Sequence, residues 1–212
     1  MNIKTNSKPI SWLEAVKQLQ AIAQTGLFYK SNTYESERYE QIIEICREQL
    51  SQYTNNSPEE LNKFFHDDTG YITPKTDIRA VVFQDSKILM VQEKVDGKWT
   101  IPGGWADVGY TPNEIAVKET LEEAGLKVKP IRLLAVMDKK CHPHPPSPFY
   151  SYKIFILCEI IGGNLGAGSE TIDAQFFELN NIPELSTERL TKDQLEILVE
   201  LYNNPQLSAY CE

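Results

Sequence analysis

The stretch from Pro102 to Leu126 constrains the fold more than any other part of this chain. Pro102-Gly103-Gly104 marks a tight loop, and Thr111-Pro112-Asn113-Glu114 opens a helix through a capping box with proline in its first turn. Gly125 stops that helix. Strand-like runs lie on both sides: 77–84 and 87–92 around an Asp85-Ser86 turn before it, then 128–137, 150–160 and 174–179 after it. A last helix starts at a Thr191/Gln194 box, carries Leu195, Leu198, Val199 and Tyr202, and ends before Pro205. One helix set among strands, with another at the end, predicts an α+β domain built on a mixed sheet.

Upstream the texture differs. Ser11 and Glu14 make a capping box, and Trp12, Val16, Leu19 and Ala23 follow at helical spacing until Thr25-Gly26, where the helix is expected to stop. A second helix is expected over 35–52, with Tyr39, Ile42, Ile43, Cys46 and Leu50 on one face. Ser57-Pro58-Glu59-Glu60 starts a third, followed by Leu61, Phe64 and Phe65. The chain therefore divides into a small helical module, 1–70, and a larger domain, 71–212. Three short amphipathic helices bury little surface alone, so the module is expected to pack on the rest of the chain or on another subunit.

The opening MNIKTNSKPI lacks the apolar stretch of a signal peptide, and no run approaches the length of a membrane span. The four cysteines form no paired spacing, which fits reduced thiols in the cytoplasm. The net charge of −9 disfavours generic DNA binding and gives little support to tight binding of RNA ends. It would also repel a phosphorylated small molecule, unless divalent cations cover the charge at the site.

Glu119, Glu122 and Glu123 fall within one arc of about 100° on the central helix. Val117, Thr120, Leu121 and Ala124 take the other side, where a core is expected. A solvated acidic face is the ordinary meaning of such a run. The diglycine loop just ahead changes that meaning, because backbone carbonyls beside carboxylates make an oxygen ligand set for Mg²⁺ or Mn²⁺.

Gly104 through Leu126 resembles the Nudix box, GX5EX7REUXEEXGU with U aliphatic. Gly104, Glu119, Glu122, Glu123, Gly125 and Leu126 fit it; Tyr110, Lys118 and Thr120 stand where the motif has glutamate, arginine and an aliphatic residue. The resemblance implies an α/β/α sandwich that hydrolyses nucleoside diphosphates linked to another group. It implies metal ligation by Glu119, Glu122, Glu123 and the Gly104 carbonyl, with Lys118 orienting the ligands. The stretches 12–27 and 34–39, with Gly103 to Pro112, are similar to a Gram-positive subfamily with a helical domain ahead of the core. That subfamily includes CDP-choline pyrophosphatases, so the resemblance implies first a CDP-alcohol cut to CMP and a phospho-alcohol. It also includes proteins called ADP-ribose pyrophosphatases, which makes ADP-ribose the alternative, and it implies a homodimer. A non-catalytic nucleotide sensor is a competing use of the same fold.

Other positions are candidates around this centre. Glu170, in a glycine-rich loop ahead of Phe176-Phe177, is a candidate metal ligand or general base, Glu122 is the other candidate for the general base, and Asp107 is a candidate supporting ligand. Trp99 and Trp105 flank the loop and are candidates for stacking on a base. Arg79, paired with Asp77 on one strand face, is a candidate phosphate contact. Lys139 and His142 belong to a proline-rich connection, 139–148, that is expected to shape the substrate pocket; its Cys141, His142 and His144 match no common zinc spacing.

Overall fold

The computed structural model describes residues 11–30, 32–66, 68 and 70–212; the first ten residues of the expected helical module lie outside these. The chain forms two compact units. One comprises the described residues up to Pro74 together with Pro146–Tyr150; the other comprises Lys75–Pro145 and Ser151–Glu212.

In the first unit, α1 (Trp12–Tyr29) and α2 (Thr33–Tyr53) lie against each other, and α3 (Pro58–His66) completes the group. Val16, Cys46, Leu50 and Leu61 are its buried core. The caps read from sequence are present: Ser11 Oγ accepts from Glu14 N, and Ser57 Oγ accepts from Glu60 N. Helix α1 does not stop at Gly26. A Cβ there would lie 2.4 Å from the Tyr39 ring, so the glycine serves close packing of α1 on α2 instead of ending the helix. Phe149 stacks edge-on against Phe64, and Lys17 Nζ lies 3.9 Å over the Tyr150 ring, which ties the 146–150 segment to this unit.

The second unit is an α/β/α sandwich with a mixed sheet. Strand β1 (Lys75–Gln84) runs parallel to β6 (Ser151–Gly163) and antiparallel to both β2 (Lys87–Glu93) and β4 (Gly103–Trp105). Strand β2 also pairs with β3 (Trp99–Thr100) and β7 (Thr171–Glu178). On the far side, β5 (Leu126–Asp138) pairs with β6 and with the short β8 (Tyr210–Cys211). Residues of β1 alternate between faces, as a strand with both sides covered requires. Ile78, Ala80 and Val82 meet α4 (Pro112–Ala124), while Val81 joins the core formed with α5 (Lys192–Asn203). No helix of the described residues is long and apolar enough to cross a membrane.

Candidate active site

The turn that leads into α4 is made by backbone and by one carboxylate. Gly103 has φ of 145°, and a Cβ on it would lie 2.0 Å from the Ile78 carbonyl oxygen, so only glycine allows β4 to close on β1. The amide of Gly103 donates to Glu123 Oε2 at 2.9 Å. Gly104 lies against Glu119; a Cβ there would be 3.5 Å from Oε2. The helix is opened by Thr111 and Glu114 in a reciprocal capping box, so Glu114 is occupied at the helix start and does not reach Lys118.

The three glutamates occupy different environments. Glu123 is 6% exposed, the Glu119 side chain is largely buried, and Glu122 stands in solvent. The core face of α4 is therefore turned from the expected one: Ile115, Ala116, Thr120 and Ala124 are buried beside Glu123, while Leu121 is exposed. In this rotation Ile115, Ala116 and Ala124 join the core and Glu123 meets the Gly103 amide. Burial, with help from Glu93 and Glu119, pushes the Glu123 carboxyl up to about 7 against the pull of Arg79 and the Gly103 amide. Burial also raises Glu119. Carboxylates drawn together under this pressure need positive charge.

Lys118 supplies part of it. Its Nζ lies 3.2 Å from Asp107, 3.3 Å from Glu119 and 3.6 Å from Glu122, which holds the ammonium firmly protonated. Among the described residues, no three His, Cys, Asp or Glu side chains are drawn together tightly enough to hold an ion as they stand. The donors themselves are carboxylates and a backbone carbonyl, and burial beside Glu93 and Glu119 pushes Glu123 toward protonation despite Arg79, so the residues suit a hard divalent cation.

Glu170 is exposed and adjoins Thr171, whose Oγ1 donates to the Glu123 carbonyl at 2.8 Å; it is thus brought to the same centre. Trp105 is 55% exposed on β4 and available to a ligand. Trp99 is not: its ring meets Phe177 edge-on at 4.7 Å in the α5-side core. Asp77 and Arg79 form no surface pair. Both are 5% exposed, Arg79 Nε and Nη2 engage Asp77, Nη1 donates to the Ile101 carbonyl, and Lys153 bonds the same carboxylate. Burial works to raise Asp77, but Arg79 and Lys153 outweigh it and hold the carboxyl low. Arg79 is thus buried and engaged through all three of its nitrogens, which leaves little of it open to a phosphate. Its charge instead lies under Glu123.

His142 is equally enclosed, with Nδ1 2.6 Å from Asp193 and Nε2 3.0 Å from Glu212, and Lys139 pairs with Glu188 at 3.1 Å. The contact with Glu212 lies within ion-pair range but lacks hydrogen-bond geometry, so the Asp193 contact is the one that orients the ring. These two residues brace the connection after β5. Two residues that sequence reasoning missed are Glu93, 8% exposed at the end of β2, and buried Lys153. Glu93 stands in the polar run Gln92-Glu93-Lys94 and Lys153 between Tyr152 and Ile154, and nothing in either local pattern separates a site residue from an ordinary strand residue.

The sandwich, the diglycine turn and the acidic helix together define a hydrolase of phosphorus acid anhydrides. A model of the NUDIX domain matches residues 73–200, and one described as a UDP-X-like, N-terminal oligomerisation domain matches residues 11–65. The chain belongs to the Nudix family and is a Nudix pyrophosphohydrolase; hydrolases of this family use divalent metal ions. It is 40% identical over 203 residues to YjhB of Bacillus subtilis, provisionally named an ADP-ribose pyrophosphatase, covering 96% of each chain. It is 33% identical to an ADP-ribose pyrophosphatase of Methanocaldococcus jannaschii over 59% of this chain and 75% of that one. A crystal structure of UDP-X diphosphatase is similar over 94% of this chain and 97% of that one, at 32% identity and a TM-score of 0.63. An ADP-ribose pyrophosphatase structure from Streptococcus suis is similar over 66% of this chain and 100% of that one, at 40% identity and a TM-score of 0.60.

Proposed function

We propose that the protein hydrolyses ADP-ribose to AMP and ribose 5-phosphate. The observation that carries the reading is the Gly103–Glu123 bond, which holds a buried carboxylate beside Glu119 and the Gly104 backbone. The relatives named for ADP-ribose favour that conjugate over the CDP-alcohols, such as CDP-choline, which the sequence resemblance puts first. Glu119, Glu122, Glu123 and the Gly104 carbonyl would hold Mg²⁺ or Mn²⁺. Bound ions supply the positive charge that an acidic protein lacks for a diphosphate.

The chain's own residues do the rest. Lys118 orients Glu119 and Glu122, and Arg79 steadies Glu123 from beneath. Glu170 accepts the proton of the attacking water as its oxygen bonds to one phosphorus and the bridging P–O bond breaks. Trp105 offers a ring for the nucleoside. The enzyme acts in the cytoplasm, where its four free cysteines stay reduced.

The helical unit makes a homodimer. Trp12, Leu19, Ile22 and Tyr29 form an apolar stripe along α1, from 47% to 65% exposed, of the kind that a second copy covers. The test of the catalytic reading is turnover of ADP-ribose, CDP-choline, CDP-ethanolamine, NADH and nucleoside triphosphates with Mg²⁺ and Mn²⁺, with products read by mass. ADP-ribose should be cut fastest. Nucleotide binding without turnover of any conjugate would instead make the protein a sensor.

A further inference from the structure

The proposed centre is rich in carboxylates, and its two obvious cations are already engaged, Arg79 by Asp77 and Ile101 and Lys118 by Asp107, Glu119 and Glu122. A third stands nearby. Glu93 ends β2, and its strand partner across β7 is Thr171, the residue bonded to the Glu123 carbonyl and adjoining Glu170. Against Glu93 stands Arg189, with Nε 2.7 Å from Oε1.

Arg189 belongs to the connection between β7 and α5, and the backbone fixes it there. Trp99 N donates to the Glu184 carbonyl at 2.9 Å and Ser186 N to the Trp99 carbonyl at 2.8 Å, so this connection is laced to β3. Leu190 N then closes a turn on the Ser186 carbonyl at 2.9 Å. Arg189 Nη1 donates to Ser186 Oγ at 3.2 Å, and Ser186 Oγ donates to Asp96 at 2.8 Å. The guanidinium is thus held by an ion pair at Nε and a hydrogen bond from Nη1. Nη2 makes no hydrogen bond among the described residues, and 26% of the side chain stays exposed. An arginine that merely neutralised Glu93 would have no need of a hydroxyl that sets the plane of its fork.

We infer that Arg189 is a substrate-binding residue, its guanidinium taking a non-bridging phosphate oxygen of the nucleoside diphosphate from the β2–β7 side of the site. Glu93 and Ser186 are its positioning residues. This inference rests on the proposed hydrolysis. A planar fork aimed by two partners meets a phosphate oxygen with directed hydrogen bonds that a lysine ammonium cannot reproduce.

The test compares wild type, Arg189→Lys and Arg189→Ala. Arg189→Lys keeps a charge beside buried Glu93 and so protects the fold; thermal melts confirm this for each variant. KM for ADP-ribose should rise by about 10-fold or more in Arg189→Lys while kcat changes by less than about 3-fold. The non-hydrolysable probe α,β-methylene-ADP, titrated by calorimetry, should lose affinity by about the same factor, while Mn²⁺ affinity measured by electron paramagnetic resonance stays as in wild type. A wild type that binds the probe and an Arg189→Lys protein of unchanged KM and probe affinity would overturn this inference alone. A wild type that neither binds the probe nor turns over any conjugate would overturn the proposed hydrolysis with it.

Discussion

The Gly103 amide donates to the Glu123 carboxylate at 2.9 Å, joining the strand-to-helix turn to the inner side of the acidic helix. At this contact Glu123 lies out of solvent while Glu122 stays in it, so the acidic stripe is graded from buried to exposed. A motif written as a row of equivalent glutamates becomes a set with separate environments.

Glu123→Gln should keep the fold and lose activity. The amide retains an acceptor for Gly103 and relieves the cost of a buried carboxyl, so the melting temperature should hold or rise. Turnover should fall by at least about 100-fold, on the scale of losing a charged group from a catalytic centre. Near-normal rates in this variant would remove Glu123 from the ligand set.

Gly103→Ala should be among the most damaging single-methyl additions in the chain. Its φ of 145° and the 2.0 Å approach to the Ile78 carbonyl leave no room for a Cβ. A loss of about 3 kcal/mol or more is expected in urea unfolding. A well-folded variant of unchanged stability would mean that β4 pairs differently with β1.

The α1 stripe predicts a specific assembly defect. Leu19→Glu with Ile22→Glu places charges at two exposed apolar positions without touching the buried Val16 or Ala23. Sedimentation analysis should show a shift from dimer to monomer with helix content intact. A double variant that sediments as wild type would move the interface elsewhere.

His144 makes the stability depend on pH. Its Nδ1 lies 2.6 Å from the Thr187 carbonyl and so carries the proton, while Nε2 is buried without a partner. Burial, opposed by the Thr187 contact and aided by Lys153 and Lys139, lowers the pKa to about 4. The unfolded chain takes up this proton near pH 6.5 and the folded one only near 4. Stabilisation is therefore complete above about 6.5 and lost as pH falls to about 4, by up to about 3 kcal/mol. Urea melts across that range should show a shallower slope for His144→Asn; parallel slopes would exclude His144 as the source.

Much of this architecture was legible beforehand because it rests on local chemistry. The Ser11, Ser57 and Thr111 caps act within a few residues, and each appears where the pattern put it. Gly26 shows the limit of that logic. Its local signal says stop, yet the chain continues, because the space that Gly26 leaves is filled by Tyr39 from the next helix. Short β4 and β8 escaped for a related reason: each is defined by a partner distant in the chain, not by its own periodicity, while two-residue β3, paired with nearby β2, is too short to show any period.

By itself the sequence determined the spacing of Gly104, Glu119, Glu122, Glu123 and Gly125, and with it the family and the helix that carries the acids. Helical geometry needs no neighbours to put those side chains on one arc. Only the tertiary structure decided which glutamate is buried, that Asp77, Arg79 and Lys153 are sealed as a buried charge cluster, and that Glu93 meets Arg189. Burial and ion pairing depend on which strand lies across from which, and that pairing joins residues far apart along the chain.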